Sequence, residues 1–182
     1  METKAEYRKH LFAQRKTRSQ SETAAIRDAR LAQNVVAEIT RRGAARVSAY
    51  YPTSGEPGGR FFIPALKDAG LTIFLPLSLP QGQLAWAEYI DDDHMAPGAY
   101  RIPEPTTQPF STLQEAGIDF IIVPALGVDT QGHRLGKGGG YYDRLLDANP
   151  TIARAVVVYS DEVLPEVPYE AHDAQCDCVI TD

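Results

Sequence analysis

The sequence predicts an α/β fold: a single domain over residues 1–182, three layers deep, with a largely parallel sheet and helices on both faces. Three observations lead there. At 182 residues and 43% hydrophobic composition, the chain can bury one sizeable core. Segments of helical period alternate with short apolar runs along its length. Runs such as Phe120-Ile121-Ile122-Val123 are apolar at every position, which suits strands covered on both faces by helices.

Residues 3–18 and 21–42 carry the helical period, with Ser21 as the expected N-cap of the second helix and Gly43 as its stop. Arg46 to Tyr50 reads as a first strand. A short helix is expected from Phe61 to Ala69, limited by Pro64 near its start and ended by Gly70. Leu71 to Leu75 reads as a second strand, and Gln83 to Tyr89 as a third, antiparallel at an edge. Pro76, Pro80, Gly82, Pro97, Gly98, Pro103, Pro105 and Pro109 mark residues 76–110 as a long irregular excursion, and Trp86 is expected to pack on its strand. Asp119 to Val123, Ala153 to Val158 and Asp177 to Thr181 complete the strands. A helix over Tyr141 to Ala148 lies between the first two of these. Ligands in such sheets gather beyond the carboxyl ends of the strands.

The net charge of −6 is unevenly spread: residues 1–46 hold 11 Lys/Arg and 5 Asp/Glu, the remainder 7 and 19. The cations are dispersed through helical patterns and the pI is near 5.2, so no nucleic-acid partner is expected. A small anion held between a basic arm and an acidic body explains the split. The longest nearly apolar run, Phe120 to Val128, is broken by Pro124 and is far short of the roughly 20 residues of a membrane span. The charged, helical N-terminus does not read as a secretory signal. Cys176 and Cys178 would share one face of the last strand, roughly 6.5–7 Å apart, at or beyond disulfide reach. A metal site would need more partners nearby. Reduced thiols in a cytoplasmic, monomeric protein are the expectation.

The segment from Val123 to Arg144 carries the chemistry. It runs from an apolar strand through Arg134-Leu135-Gly136-Lys137-Gly138-Gly139-Gly140 into the helix opened by Tyr141-Tyr142-Asp143. Three consecutive glycines bring no side chain to a core and are entropically costly. Their use is close backbone approach: N–H groups beside Arg134 and Lys137 form a concave site for phosphate oxygens. The loop is not a Walker A loop, because no Ser or Thr follows Gly136-Lys137. Nor is it a dinucleotide fingerprint, because Tyr141 stands where the last glycine would be. Read by itself, a flexible hairpin loop is the plain alternative.

The extended pattern Gly-x-Arg-Leu-Gly-x-Gly-x-Gly-Tyr-Tyr-Asp closely resembles the signature of the 5-formyltetrahydrofolate cyclo-ligase (5,10-methenyltetrahydrofolate synthetase) family. Other segments match in the same order: Lys4 and Arg8; Ala49-Tyr50-Tyr51-Pro52 with Glu56; Tyr100-Arg101-Ile102-Pro103-Glu104-Pro105; and Val167-Pro168 with His172-Asp173 and Asp177. The similarity covers nearly the whole chain.

The resemblance implies an ATP-dependent cyclisation of 5-formyltetrahydrofolate to the 5,10-methenyl compound, with ADP and phosphate released. It implies phosphorylation of the formyl oxygen and attack by N10. Such chemistry asks the protein mainly to position groups and neutralise charge. Lys4, Arg8, Arg134 and Lys137 become the catalytic cations, with the backbone of Leu135, Gly136, Gly138, Gly139 and Gly140 and with Tyr141 and Tyr142 beside the nucleotide. Alone, Lys4 and Arg8 suit a solvated amphipathic helix, one turn apart on one face. Asp143 and Asp173 become Mg²⁺ ligands. Alone, the first suits a helix N-terminus and the second a loop cap. Tyr51, Glu56, Tyr100 and Tyr141 become folate contacts. Pro57-Gly58-Gly59 depart from the family's pattern after the glutamate, which supports one alternative, a paralogue acting on another formyl or carboxyl substrate. A second alternative is a non-catalytic folate or nucleotide binder, against which Lys4, Arg8, Asp143 and Asp173 speak. Asp91-Asp92-Asp93-His94 reads as a solvated loop, and His10 and His133 read as surface residues.

Overall fold

Helix α1 (Lys4–Arg18) starts at a capping box: the Glu6 N–H donates to the Thr3 hydroxyl at 3.3 Å, and the Thr3 N–H donates to the Glu6 carboxylate at 2.8 Å. The computed structural model to which these distances belong describes residues 3–53, 55–169 and 174–182. Helix α2 (Ala24–Arg42) buries Leu31, Ala32, Val35 and Ile39 along one stripe and ends at Gly43 as expected. Its start differs from expectation. Ser21 lies in a preceding turn, its hydroxyl accepting from the Thr23 N–H at 3.1 Å, and Thr23 is the N-cap without a side-chain bond. Helix α3 (Phe62–Asp68) buries Phe62, Ile63 and Leu66, and helix α4 (Tyr141–Ala148) buries Leu146.

The strands are β1 (Arg46–Ser48), β2 (Thr72–Ser78), β3 (Leu84–Glu88), β4 (Met95–Pro97), β5 (Pro103–Pro105), β6 (Pro109–Phe110), β7 (Phe120–Pro124), β8 (Gly127–Asp129), β9 (Arg134–Leu135), β10 (Ala153–Val157), β11 (Val163–Leu164) and β12 (Cys178–Ile180). The main sheet has seven, in the order β12-β10-β7-β1-β2-β3-β6. The five from β12 to β2 are parallel, and β3 and β6 add antiparallel pairings. β3 is therefore not the edge: β6 covers it, pairing Trp86 with Phe110. The excursion is also less irregular than expected, since β4 and β5 pair within it.

Each fully buried strand serves two cores by alternation. On one face Phe120 and Ile122 of β7, with Ala155 and Val157 of β10, pack under α2 and α3. On the other, Ile121, Val123 and Val156 join Phe74, Trp86, Leu113 and α4's Leu146. Layers of helix on both faces are thus present. The cysteines do not share a face. Cys176 belongs to the second core while Cys178 borders the first. Cys176 lies before β12, where its N–H donates to the Gly132 carbonyl at 3.3 Å, so strand alternation does not reach it. Both thiols are free, and burial pushes Cys176 up to about 12.

The glycines after Glu56 have a steric cause. Gly58 has φ +86°, and a Cβ there would lie 2.7 Å from Cδ2 of the fully buried Phe62 ring. Gly58→Ala is expected to destabilise the fold by about 2–4 kcal/mol, combining left-handed strain with overpacking. The urea midpoint would report it; an unchanged midpoint would contradict this account.

Candidate active site

Parallel strands end on a common edge, and the chain segments leaving that edge carry the expected residues. β1 leads to Tyr50, Tyr51 and Glu56. β7 leads through the β8–β9 hairpin to the glycine loop, and β10 leads to Tyr159 and Glu162. The hairpin, extended by β11 in a second small sheet, was not foreseen, since its strands are only two or three residues long. Helix α1 packs on this edge: its Leu11 meets Leu126, Leu135 and Val167 in a small apolar cluster. The Leu135 side chain therefore faces α1, and only its backbone adjoins the loop.

The loop is built for approach to its backbone. Among the described residues, the backbone N–H groups of residues 136–143 donate to no protein acceptor. Gly138 has φ +103°, a backbone conformation that favours glycine, and the Arg8 guanidinium lies along the loop there, 3.5 Å from where a Cβ would stand, an ordinary contact distance. Arg8 Nε donates to the Gly136 carbonyl at 2.9 Å. Lys4, one turn earlier on the same stripe, is half-buried. Arg134 is 7% exposed and pairs with Asp143 in the first turn of α4. Gly140 is the N-cap of that helix.

Glu56 is 7% exposed. One of its oxygens accepts from the Thr53 N–H at 2.7 Å and the Thr53 hydroxyl at 2.9 Å, and the other pairs with Lys137. Burial works to raise this carboxyl, but the adjacent ammonium and the Thr53 donors outweigh it and hold the pKa below the usual value. The pair joins two segments 81 residues apart. The Glu56 turn is supported from behind: Tyr50 donates to the Pro57 carbonyl at 2.8 Å and Tyr159 donates to the Glu56 carbonyl at 3.2 Å.

Tyr100, 75% exposed, brings its hydroxyl within 3.3 Å of that of Tyr141. That hydrogen bond raises the Tyr141 phenol. The Tyr142 hydroxyl is buried without a partner among the described residues, and burial lifts its pKa well above the ordinary value, so it stays protonated. The Tyr51 hydroxyl donates to Asp92 at 3.2 Å, as the Tyr89 hydroxyl does at 2.9 Å. Asp173 lies outside the described residues, as does His172. Among the described residues no group of three or more His, Cys, Asp or Glu could hold a metal. No helix among them is long and apolar enough to cross a membrane.

One expectation is corrected here. His133 is buried, not superficial: its Nδ1 lies 3.0 Å from Asp129, and its ring stacks on Tyr169 at 3.8 Å. Asp129 also accepts from the N–H groups of Gln131, His133 and Val167, so it organises the hairpin turn. Part of the charge split is met within the protein. Arg15 and Arg18 pair with Glu162, and Arg27 with Asp161 and Asp182. The arginines that dock α1 escaped sequence reasoning. Their signal was the stripe Lys4, Arg8, Leu11, Arg15, Arg18, spaced alternately by four and three residues.

Residues 1–182 match the family model described as the 5-formyltetrahydrofolate cyclo-ligase family. A protein of Mycolicibacterium smegmatis named 5-formyltetrahydrofolate cyclo-ligase is 37% identical over 142 residues, covering 74% of this chain and 72% of that one. One of the same name from Haemophilus influenzae is 27% identical over 145 residues, covering 78% of each. The NMR structure of Aquifex aeolicus 5,10-methenyltetrahydrofolate synthetase matches with a TM-score of 0.76 at 27% identity, over 98% of this chain and 89% of that one. The Mycoplasma pneumoniae 5,10-methenyltetrahydrofolate synthetase shares the fold, with a TM-score of 0.75 at 22% identity over 98% of both chains. With the glycine loop, its cations and Glu56 gathered on one sheet edge and the family pattern matched from end to end, the chain belongs to the 5-formyltetrahydrofolate cyclo-ligase family.

Proposed function

We propose that the protein cyclises 5-formyltetrahydrofolate to 5,10-methenyltetrahydrofolate at the expense of ATP. The observation that carries this reading is the Lys137–Glu56 pair, which joins the glycine loop to the carboxylate expected to hold the pterin edge. Triphosphate oxygens would take the loop N–H groups, Arg8, Arg134 and Lys137, with Lys4 on the same helical stripe. Release of Lys137 would leave Glu56, already ionised, as acceptor for the N–H groups of the pterin. Tyr100 and Tyr141 would wall the substrate side.

The formyl oxygen attacks the γ-phosphorus, so an O–P bond forms as the bond to ADP breaks. N10 then attacks the formyl carbon, losing its proton. The C–O bond breaks and phosphate leaves. No covalent enzyme intermediate is required; the cations hold the transferring group in line and neutralise its charge.

The family also implies Mg²⁺. Asp143, with a side chain 33% exposed beside the unsatisfied loop N–H groups, suits an ion that takes one or two carboxylates and completes its shell with phosphate and water. Bound with the nucleotide, Mg²⁺ would supply charge neutralisation at the phosphate oxygens. Arg134 engages Oδ1 of Asp143, and the other carboxylate oxygen would be the one to serve the ion. Asp173 is the proposed second carboxylate. The free thiols fit a reducing, cytoplasmic setting, and the protein is proposed to act as a monomer.

The deciding experiment supplies 5-formyltetrahydrofolate, ATP and Mg²⁺ and follows the ultraviolet absorbance of the methenyl product. Product with stoichiometric ADP is the expected result. Folate binding without product would make the protein a binder. ADP release only with another formyl or carboxyl acceptor would make it a paralogue.

A further inference from the structure

Helix α1 docks on the sheet edge through an unusual face. Its buried residues are Leu11, Arg15 and Arg18, so a single aliphatic side chain is accompanied by two guanidinium groups. Both converge on Glu162, which is 0% exposed. Glu162 Oε1 accepts from Arg15 Nε at 2.8 Å and Arg18 Nη1 at 2.9 Å. Its Oε2 accepts from Arg15 Nη2 at 2.9 Å and the Tyr159 N–H at 3.0 Å. Arg15 Nη2 also donates to the Ala125 carbonyl at 2.6 Å, on the connection from β7 toward the glycine loop. Arg18 Nη2 reaches Asp161 at 2.8 Å, and its guanidinium lies 4.2 Å from the centre of the Tyr159 ring.

This network has a geometric consequence seven residues away. Arg8 and Arg15 are two turns apart, about 10.5 Å along the axis and nearly in line. An apolar contact through Leu11 alone tolerates rotation and sliding of the helix. A bidentate guanidinium–carboxylate pair does not, because both its distance and its plane are set. A buried ion triad contributes little net stability compared with apolar residues of equal volume, and its best-attested use is to fix register.

We infer that Glu162 is a positioning residue for the nucleotide: through Arg15 and Arg18 it fixes the rotation and height of α1, and so the place of Arg8 on Gly136. Glu162 is not itself placed at the nucleotide and acts on Arg8 through the helix. The inference rests on the proposed role of Arg8 at the ATP phosphates.

The test is a double-mutant cycle on ATP binding in the presence of Mg²⁺, measured calorimetrically on the full chain. Glu162→Gln is expected to weaken ATP binding about 10- to 100-fold, the range for partners that orient a ligand-binding group. In an Arg8→Met background the same change should have little further effect, because the group it orients is gone. An unchanged affinity, or the same factor lost in both backgrounds, would overturn the inference, since a purely stabilising role is additive with Arg8. Should Glu162→Gln fail to fold, Arg15→Met with Arg18→Met and Glu162→Leu removes the ionic demand and is read identically; wild-type ATP affinity in that variant would also overturn the inference. Wild-type protein that binds no ATP would instead remove the underlying functional reading.

Discussion

Arg134→Met is expected to lower kcat by about 100- to 1,000-fold, the loss that follows removal of one preorganised partner for developing charge in a water-poor site. The expectation follows from placement. Arg134 is buried at the root of the glycine loop, its one carboxylate partner is Asp143, and its Nε has no partner among the described residues. A guanidinium held this way is charged and oriented before the phosphate arrives, so little reorganisation accompanies the reaction. Methionine fills much of the same volume, and the Asp143 carboxylate left behind can turn to solvent, so the fold should survive. Arg134→Lys keeps the charge but loses the fork and should recover only part of the rate. Asp143→Asn is the complementary change. It retains an acceptor for Arg134 but loses a charge, so a modest fall in melting temperature should accompany a rise in the Mg²⁺ concentration needed for turnover. Steady-state rates over a Mg²⁺ series, with melting temperatures alongside, measure all three. An Arg134→Met enzyme within threefold of wild type would rule out charge stabilisation at this position.

The central strands were legible because their burial on both faces leaves a continuous apolar run, and that run needs no partner to be seen. Phe120 to Val123 is such a run, Ala153 to Val158 is one apart from Arg154, and the structure places both strands within a residue of expectation. The glycine loop was legible for a different reason: three glycines with flanking cations have few structural uses. What escaped depends on long-range partners. β6, β8, β9 and β11 are two or three residues long and exist only because a neighbouring strand offers a ladder. His133 looks like a surface residue until Tyr169 closes over it and Asp129 turns beneath it. Helix α1 looks solvated because its inner face is basic. Only Glu162, 147 residues from Arg15, makes that face an interior one. A pattern of apolar residues reports burial against apolar partners and is silent about burial against a carboxylate.

Glu56→Gln should separate the two substrates. The Lys137 side chain is 48% exposed, so the ion pair is worth about 0–1 kcal/mol to the fold, and loss of the charge should move stability little. Binding is another matter. In the proposed complex Lys137 turns to phosphate and Glu56 accepts from the pterin edge, where a hydrogen bond to a charged group is worth about 1.5–3 kcal/mol. The substitution should therefore weaken folate binding about 10- to 100-fold. ATP binding should hold or improve, because Lys137 no longer has to leave a carboxylate. The pH response carries the same signature. The folded pKa of Glu56 lies below its ordinary value of 4.5, so the pair is fully present above that pH and is lost only as pH falls through the lower folded value. Wild-type folate affinity should accordingly stay level, as far as Glu56 governs it, from neutral pH down to about 5 and decline only below 4.5. The Gln variant should lack that acid limb while keeping its weaker affinity throughout. Equal loss of both substrates, or an acid limb that survives the substitution, would mean that the carboxylate at position 56 braces the loop and does not read the substrate.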